Sequence, residues 1–225
     1  MFNYKENDEM FHEKHFETYK DLLLEWNEKI NLTAITDEDE IRLKHFADSL
    51  TVAEFIEDNS KVIDVGTGAG FPGIPLKIYN NTLDITLADS LNKRINFLNE
   101  VIDKLELNNI KAVHGRAEYL GQDKQFREQY DIAISRAVAN MSTLVEYLLP
   151  FVKVGGKAIC MKGPNIEDEL NTSKKAIKEL GGEIEKIESF KLEDLERNII
   201  IIKKVKTTPS IYPRKASIPL KKPIR

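Results

Sequence analysis

The chain has 225 residues, 41% of them hydrophobic, and a formal net charge of −4. That length buries one good core, in one domain or two, and no apolar run approaches the ~18 residues of a membrane span. A single cysteine, Cys160, excludes an internal disulfide framework and fits a reducing cytoplasm. The segment Met1–Met10 carries acids and lacks the apolar stretch of a secretion signal.

The charge is spread unevenly. Residues 1–60 carry 16 Asp and Glu against 6 Lys and Arg, whereas residues 203–225 carry eight Lys and Arg and no acid. A basic tail hints at a polyanionic partner, and a solvated tail that touches nothing fits the charges about as well.

Taken in order, residues 8–29 have helical periodicity, with Phe11, Phe16, Tyr19, Leu22, Leu23 and Trp26 on one face. Asn31-Leu32-Thr33 ends that pattern, and a second helix is predicted over 38–56, capped by Thr36 or Asp37. His12, His15 and His45 show no metal-ligand grouping and read as surface or packing residues. No metal is expected. Next, Val62, Ile63 and Val65 suit a buried strand, and Gly66, Gly68 and Gly70 follow it. Pro72 then opens a helix over 72–80. Strand, glycine turn and helix start together make a cradle for a nucleotide-like ligand.

Which nucleotide depends on position. Gly68-Ala69-Gly70-Phe71-Pro72-Gly73 matches the dinucleotide pattern G-x-G-x-x-G, but an acid, Asp64, stands two residues before the first glycine. A carboxylate there suits a ligand with cationic character. The order acid-x-Gly-x-Gly-x-Gly resembles the first motif of S-adenosylmethionine-dependent methyltransferases. No Gly-Lys-Ser/Thr follows, which argues against a P-loop, and a glycine turn with no ligand is the bland alternative.

A strand over 83–88 ends at Asp89, 23 residues past Gly66, where an acid meets ribose hydroxyls in doubly wound nucleotide sites. The competing role for Asp89 is capping the helix predicted over 91–106. A strand over 110–113 leads into Gly115-Arg116-Ala117-Glu118, and another over 130–135 stops at Arg136. A helix over Met141–Leu149, a strand over Lys157–Met161 and a helix over 166–180 follow. Cys160, within that strand, reads as a small buried hydrophobe rather than a nucleophile. Gly181-Gly182 is a stop, and strands over 183–190 and 198–205 form a closing antiparallel hairpin. The fold class is α/β, a Rossmann-like, mostly parallel sheet with an antiparallel final strand. Residues 1–58 form an N-terminal helical extension, 59–205 the ligand-binding domain and 206–225 a basic, proline-rich tail.

In such sheets the ligand lies outside the carboxyl ends of the strands, so Gly66, Asp89, Ala117, Glu118 and Arg136 should converge on one site. Glycine-turn amides suit a ligand carboxylate, Asp89 a ribose, and Ala117–Glu118 an adenine edge. Methyl transfer needs alignment above all, and a neutral lone pair such as guanine N7 needs no general base. No residue is therefore identified as catalytic. Ser135-Arg136-Ala137 stands where exocyclic-amine methyltransferases carry an Asn/Asp-Pro-Pro-aromatic element, and no Pro-Cys pair offers cytosine C5 chemistry. Arg136 suits a phosphate or a cofactor carboxylate.

With these residues assembled, the chain resembles the RsmG family, once called glucose-inhibited division protein B. The pieces are Trp26-Asn27 with Asn31-Leu32-Thr33, Lys44-His45-Phe46 with Asp48-Ser49-Leu50, and Asp64 through Pro75. Asp89-Ser90-Leu91 with Lys93-Arg94, Ser135-Arg136-Ala137, Lys162-Gly163 and Tyr212-Pro213-Arg214-Lys215 complete them. The resemblance implies a class I methyltransferase fold and S-adenosyl-L-methionine as cofactor. It implies N7-methylation of one guanine in the decoding-region loop of bacterial 16S ribosomal RNA, presented as RNA or as a small-subunit particle. A cytoplasmic monomer with no membrane partner is expected. Cofactor contacts would come from Asp64, Gly66, Gly68, Gly70, Phe71, Asp89, Ala117, Glu118 and Arg136. Lys162, Arg214, Lys215, Lys221 and Lys222 would contact RNA, with Pro209, Pro213, Pro219 and Pro223 holding the tail extended until RNA binds. The rival readings are a methyltransferase of a small molecule or protein, a nicotinamide oxidoreductase using Gly68–Gly73, and a catalytically silent rRNA-binding module.

Overall fold

The computed structural model describes residues 9–136 and 139–225. The first eight residues and Ala137, the third residue of Ser135-Arg136-Ala137, lie outside the described residues. The first helix, α1 (Glu9–Ile30), turns Phe16, Tyr19, Leu22 and Leu23 into the core. The single helix expected over 38–56 is instead four short pieces: α2 (Glu38–Ile41), a π-helical turn (Arg42–Ala47), α3 (Asp48–Leu50) and a 3-10 turn (Ala53–Phe55). Asp37 caps α2 by accepting from the Glu40 amide at 3.0 Å. Hydroxyls then return to the backbone, Ser49 to the His45 carbonyl at 2.6 Å and Thr51 to the Asp48 carbonyl at 2.7 Å, an arrangement that bends helices. The widened π turn carries Lys44 and His45, and such turns often mark functional sites.

From β1 (Lys61–Val65) the chain alternates: α4 (Gly73–Tyr79), β2 (Asp84–Asp89), α5 (Asn92–Lys104), β3 (Ile110–His114), α6 (Ala117–Leu120) and β4 (Tyr130–Arg136). Then come α7 (Met141–Leu148), β5 (Val152–Lys162), α8 (Glu167–Glu179), β6 (Gly182–Leu192), β7 (Leu195–Lys204) and a short α9 (Ile218–Lys221) in the tail. Among the described residues seven strands form one sheet in the order β3-β2-β1-β4-β5-β7-β6. β1 to β5 pair in parallel, and β7 inserts antiparallel between β5 and β6, as the expected closing hairpin requires.

Both faces of the sheet are covered. Alternation along β7 divides its isoleucines: Ile199 and Ile201 join the cluster containing Tyr19, Phe46 and Phe97, while Ile200 and Ile202 join the one under α7 and α8. Each such buried side chain contributes roughly 2–3 kcal/mol. The N-terminal helices therefore share their core with the sheet. Two bonds fasten α1 further: Trp26 donates to Glu100 on α5 at 3.1 Å, and Tyr19 donates to the Ala69 carbonyl in the turn after β1. Because β1 is followed by β2 on one side and β4 lies on the other, the loops after β1 and β4 part and open a crevice. Among the described residues no helix is long and apolar enough to cross a membrane.

Candidate active site

The turn after β1 depends on glycine. Gly66, Gly68 and Gly70 have φ of 72°, 63° and 101°, a region that costs other residues about 1–2 kcal/mol. Their roles differ. A Cβ on Gly68 would meet nothing within 4 Å, whereas one on Gly70 would strike Ile74 at 2.5 Å and the Tyr19 hydroxyl at 2.8 Å. Gly68 thus leaves room for a ligand, and Gly70 lets α1 approach the turn.

Two carboxylates brace this turn from different sides. Asp64, wholly buried, accepts on Oδ2 from Thr67 at 2.6 Å and from the Gly73 amide at 2.9 Å. Burial pushes its carboxyl up to about 7, and its Oδ1 has no partner among the described residues. Asp89 accepts from the Gly68 amide at 3.0 Å and Arg94 at 3.2 Å on Oδ2, and from the Leu91 amide at 2.9 Å on Oδ1. The capping role weighed for Asp89 is reduced to that single bond, because α5 begins only at Asn92.

A cavity of about 600 Å³ opens over the carboxyl ends of β1 to β4. Seven of the nine predicted cofactor residues line it: Gly66, Gly68, Phe71, Asp89, Ala117, Glu118 and Arg136. Asp64 and Gly70 do not. The expected contact of Asp64 with a cationic ligand is corrected to a bracing role beneath the turn, where Thr67 and Gly73 occupy its Oδ2.

Arg136 closes one side. It donates through Nη1 to the Lys44 carbonyl and to Asp48, both at 3.0 Å, and its guanidinium lies 4.9 Å from the centre of the Phe71 ring. His45 stacks on Phe71 with ring centres 4.5 Å apart. Burial, reinforced by Arg136, pushes His45 down to about 4, so its ring is neutral near pH 7. Its Nδ1 accepts from Arg136 at 3.2 Å, which leaves the proton on Nε2 to reach Thr33 at 2.8 Å. Sequence reasoning missed His45 and Thr33 as site residues. The signals for them are Lys44-His45-Phe46 and Asn31-Leu32-Thr33, two of the pieces that carry the family resemblance.

On the opposite side, Arg116 is extended (φ −78°, ψ 143°) and starts the one-turn helix α6. Glu118 is 6% exposed, and it accepts from the Ser217 amide of the tail at 3.0 Å and bonds the Tyr147 hydroxyl. The tail is therefore packed, not extended. Arg127 donates to the Tyr212 and Thr208 carbonyls at 2.6 and 2.7 Å, and Tyr212, Pro219 and Ile224 are buried. Arg214, predicted to hold RNA, is paired through Nη2 and Nε with the buried Glu146 at 2.6 and 2.9 Å. Lys162 is similarly committed to Glu169 at 2.7 Å and the Ala139 carbonyl at 2.8 Å. Lys215, Lys221 and Lys222 are exposed. Cys160 is fully buried and its thiol is pushed up to about 12, an unreactive position.

The lining suits a nucleoside with an amino-acid appendage. A carboxylate offers about four acceptor sites, and the three protein donors on Asp89 leave room for a ribose hydroxyl. The open side of Gly68 adds space for the ligand beside that carboxylate.

Comparison with solved structures gives the same architecture. A SAM dependent methyltransferase from Aquifex aeolicus superposes with a TM-score of 0.54 at 18% identity, covering 74% of this chain and 93% of that one. M. jannaschii TYW2 in complex with AdoMet superposes with a TM-score of 0.57 at 17% identity, covering 71% and 75%. The fold is thus the Rossmann-like class I methyltransferase fold. In sequence, the chain is 54% identical over 212 residues to Ribosomal RNA small subunit methyltransferase G of Alkaliphilus metalliredigens, covering 92% of this chain and 89% of that protein. It is 56% identical over 211 residues to the protein of the same name from Alkaliphilus oremlandii, covering 92% and 88%. The family model described as rRNA small subunit methyltransferase G matches residues 12–200. By the extent of that match and the identity of these relatives, the chain belongs to the rRNA small subunit methyltransferase G family.

Proposed function

We propose that this chain is an S-adenosylmethionine-dependent methyltransferase acting on N7 of a guanine in the decoding-region loop of 16S ribosomal RNA. The observation that carries the proposal is the convergence of Gly66, Gly68, Phe71, Asp89, Ala117, Glu118 and Arg136 on one cavity in a chain of this family. The expectation that glycine-turn amides receive a carboxylate is corrected, because the Gly66, Thr67, Gly68, Gly70 and Phe71 amides all donate within the protein. In the proposed roles the amino-acid end lies over the open side of Gly68, Asp89 takes a ribose hydroxyl, and Ala117 and Glu118 meet the adenine edge. Arg136, held by Asp48 and His45, orients whatever lies between it and the turn. When bound, S-adenosylmethionine would supply a methyl group from its sulfonium to the lone pair of N7, the bonding electrons being left on sulfur and no proton transfer being required. The chain's own task is then alignment and exclusion of water. We place this activity in a cytoplasmic monomer, with Lys215, Lys221 and Lys222 as the tail residues open to RNA phosphates.

Calorimetry with S-adenosylmethionine, followed by mapping of N7-methylguanine in 16S rRNA of small subunits treated with the protein, tests this. Binding and one new N7-methylguanine are expected. A protein that binds the cofactor yet modifies only small acceptors, or binds RNA and ignores the cofactor, overturns it.

A further inference from the structure

A second pocket of about 330 Å³ adjoins the first, and His45 and Arg136 line both. It covers the next carboxyl ends along the sheet, those of β4 and β5. Met161 and Ile199 contribute apolar surface, the half-buried Phe190 ring forms a side, and Arg197 and Lys44 bring positive charge. Asp48, 4% exposed, accepts from Arg136 at 3.0 Å and from Arg197 at 2.6 Å and so fixes both guanidiniums against the pocket.

We propose that this second pocket receives the purine of the acceptor nucleotide, turned out of its RNA stack onto Phe190, with its N7 edge directed past Arg136 toward the first cavity. This deepens the methyltransferase assignment above and rests on it. Three observations support this occupant. The volume lies at the small end of ligand clefts, room for one base and its sugar. An aromatic ring beside cationic side chains is the combination that holds an extruded base and its flanking phosphates. Transfer requires donor and acceptor atoms within about 3–3.5 Å, and this pocket adjoins the first cavity along residues common to both linings.

Gly163 provides a direct test. It lines the second pocket and not the first, a Cβ there would meet nothing within 4 Å, and it needs no left-handed backbone. Gly163→Leu fills the space without touching the first cavity. Expected are unchanged S-adenosylmethionine affinity by calorimetry and a loss of about 100-fold in kcat/KM on small subunits. Phe190→Ala should lose about 10–100-fold, recovered by Phe190→Tyr, which keeps the stacking face. Independently of activity, the Met161 methyl resonance of methyl-labelled protein should shift on adding guanosine 5′-monophosphate and stay still in Gly163→Leu. A wild-type protein that ignores the cofactor or rRNA overturns the function proposed above and this pocket with it. A wild type that methylates rRNA, with both variants unimpaired or the Met161 signal unmoved by the nucleotide, overturns the pocket alone.

Discussion

Asp48 accepts Arg136 on one carboxylate oxygen and Arg197 on the other, at 3.0 and 2.6 Å, joining the N-terminal helices to the ends of β4 and β7. Residues distant in sequence thereby become one electrostatic unit beside the cavity. Asp48→Ala leaves two partly buried cations without their carboxylate, and removal of one side of a buried ion pair costs roughly 3–5 kcal/mol. Urea denaturation should register a loss of that order, and cofactor affinity should fall with it as Arg136 swings from Phe71. Unchanged stability would mean that the two guanidiniums are carried by solvent rather than by Asp48.

Asp89 ties the second strand to the glycine turn through the Gly68 amide. Asp89→Ala removes both that bond and the acceptor proposed for the ribose. Hydrogen bonds to a charged group are worth about 1.5–3 kcal/mol, so cofactor affinity should fall about 10–100-fold by calorimetry. Gly68→Ala meets no atom yet strains the backbone at φ 63° and places a methyl at the cavity. The strain should lower stability by roughly 1–2 kcal/mol, and the methyl in the space open to the ligand should weaken the cofactor by about tenfold, roughly 1.4 kcal/mol. An affinity that survives both substitutions argues that the ligand sits elsewhere.

The strand ends were legible because each joins a β-branched run to a residue of specific chemistry: Gly66 after Val65, Asp89 after Ala88, Arg136 after Ser135. Nothing local announced the bracing role of Asp64, since its neighbours Thr67 and Gly73 meet it only once the turn has folded back. His45 was opaque for a different reason. Helical periodicity assumes 3.6 residues per turn, and the π turn at Arg42–Ala47 departs from it. The tail's prolines and lysines have the composition of an extended linker, so its packing is not legible locally. Its restraints, Glu146, Arg127 and Glu118, lie far back in the chain.

The raised carboxyl of Asp64 gives a pH signature. Its folded-state value near 7 exceeds the unfolded value near 4, so between them the folded state binds more proton. The stabilising contribution is complete below about pH 4 and is lost as pH rises through about 7, with a ceiling of about 4 kcal/mol. Asp64→Asn cannot ionise, and its amide oxygen can still accept from Thr67 and Gly73. Denaturation of both proteins should show the wild type losing stability relative to Asp64→Asn as pH is raised across that window. Parallel profiles would remove Asp64 as the titrating group.

Charge in the tail divides into two kinds, and they should respond oppositely. Arg214 neutralises Glu146, which is 0% exposed, so Arg214→Ala strands a buried carboxylate at a cost of roughly 3–5 kcal/mol. Its first effect should be a lower unfolding midpoint. Lys215, Lys221 and Lys222 are exposed, and replacing all three by Ala should move stability by no more than about 0.5 kcal/mol each. If they meet RNA phosphates, each contributes about 0.7–0.9 to the slope of log affinity against log salt, so the triple variant flattens that slope by about 2. Filter binding to small-subunit RNA at several salt concentrations reads this directly. A slope untouched by the three lysines, with Arg214→Ala flattening it at full stability, would return the RNA contact to Arg214 and undo the structural role given to it here.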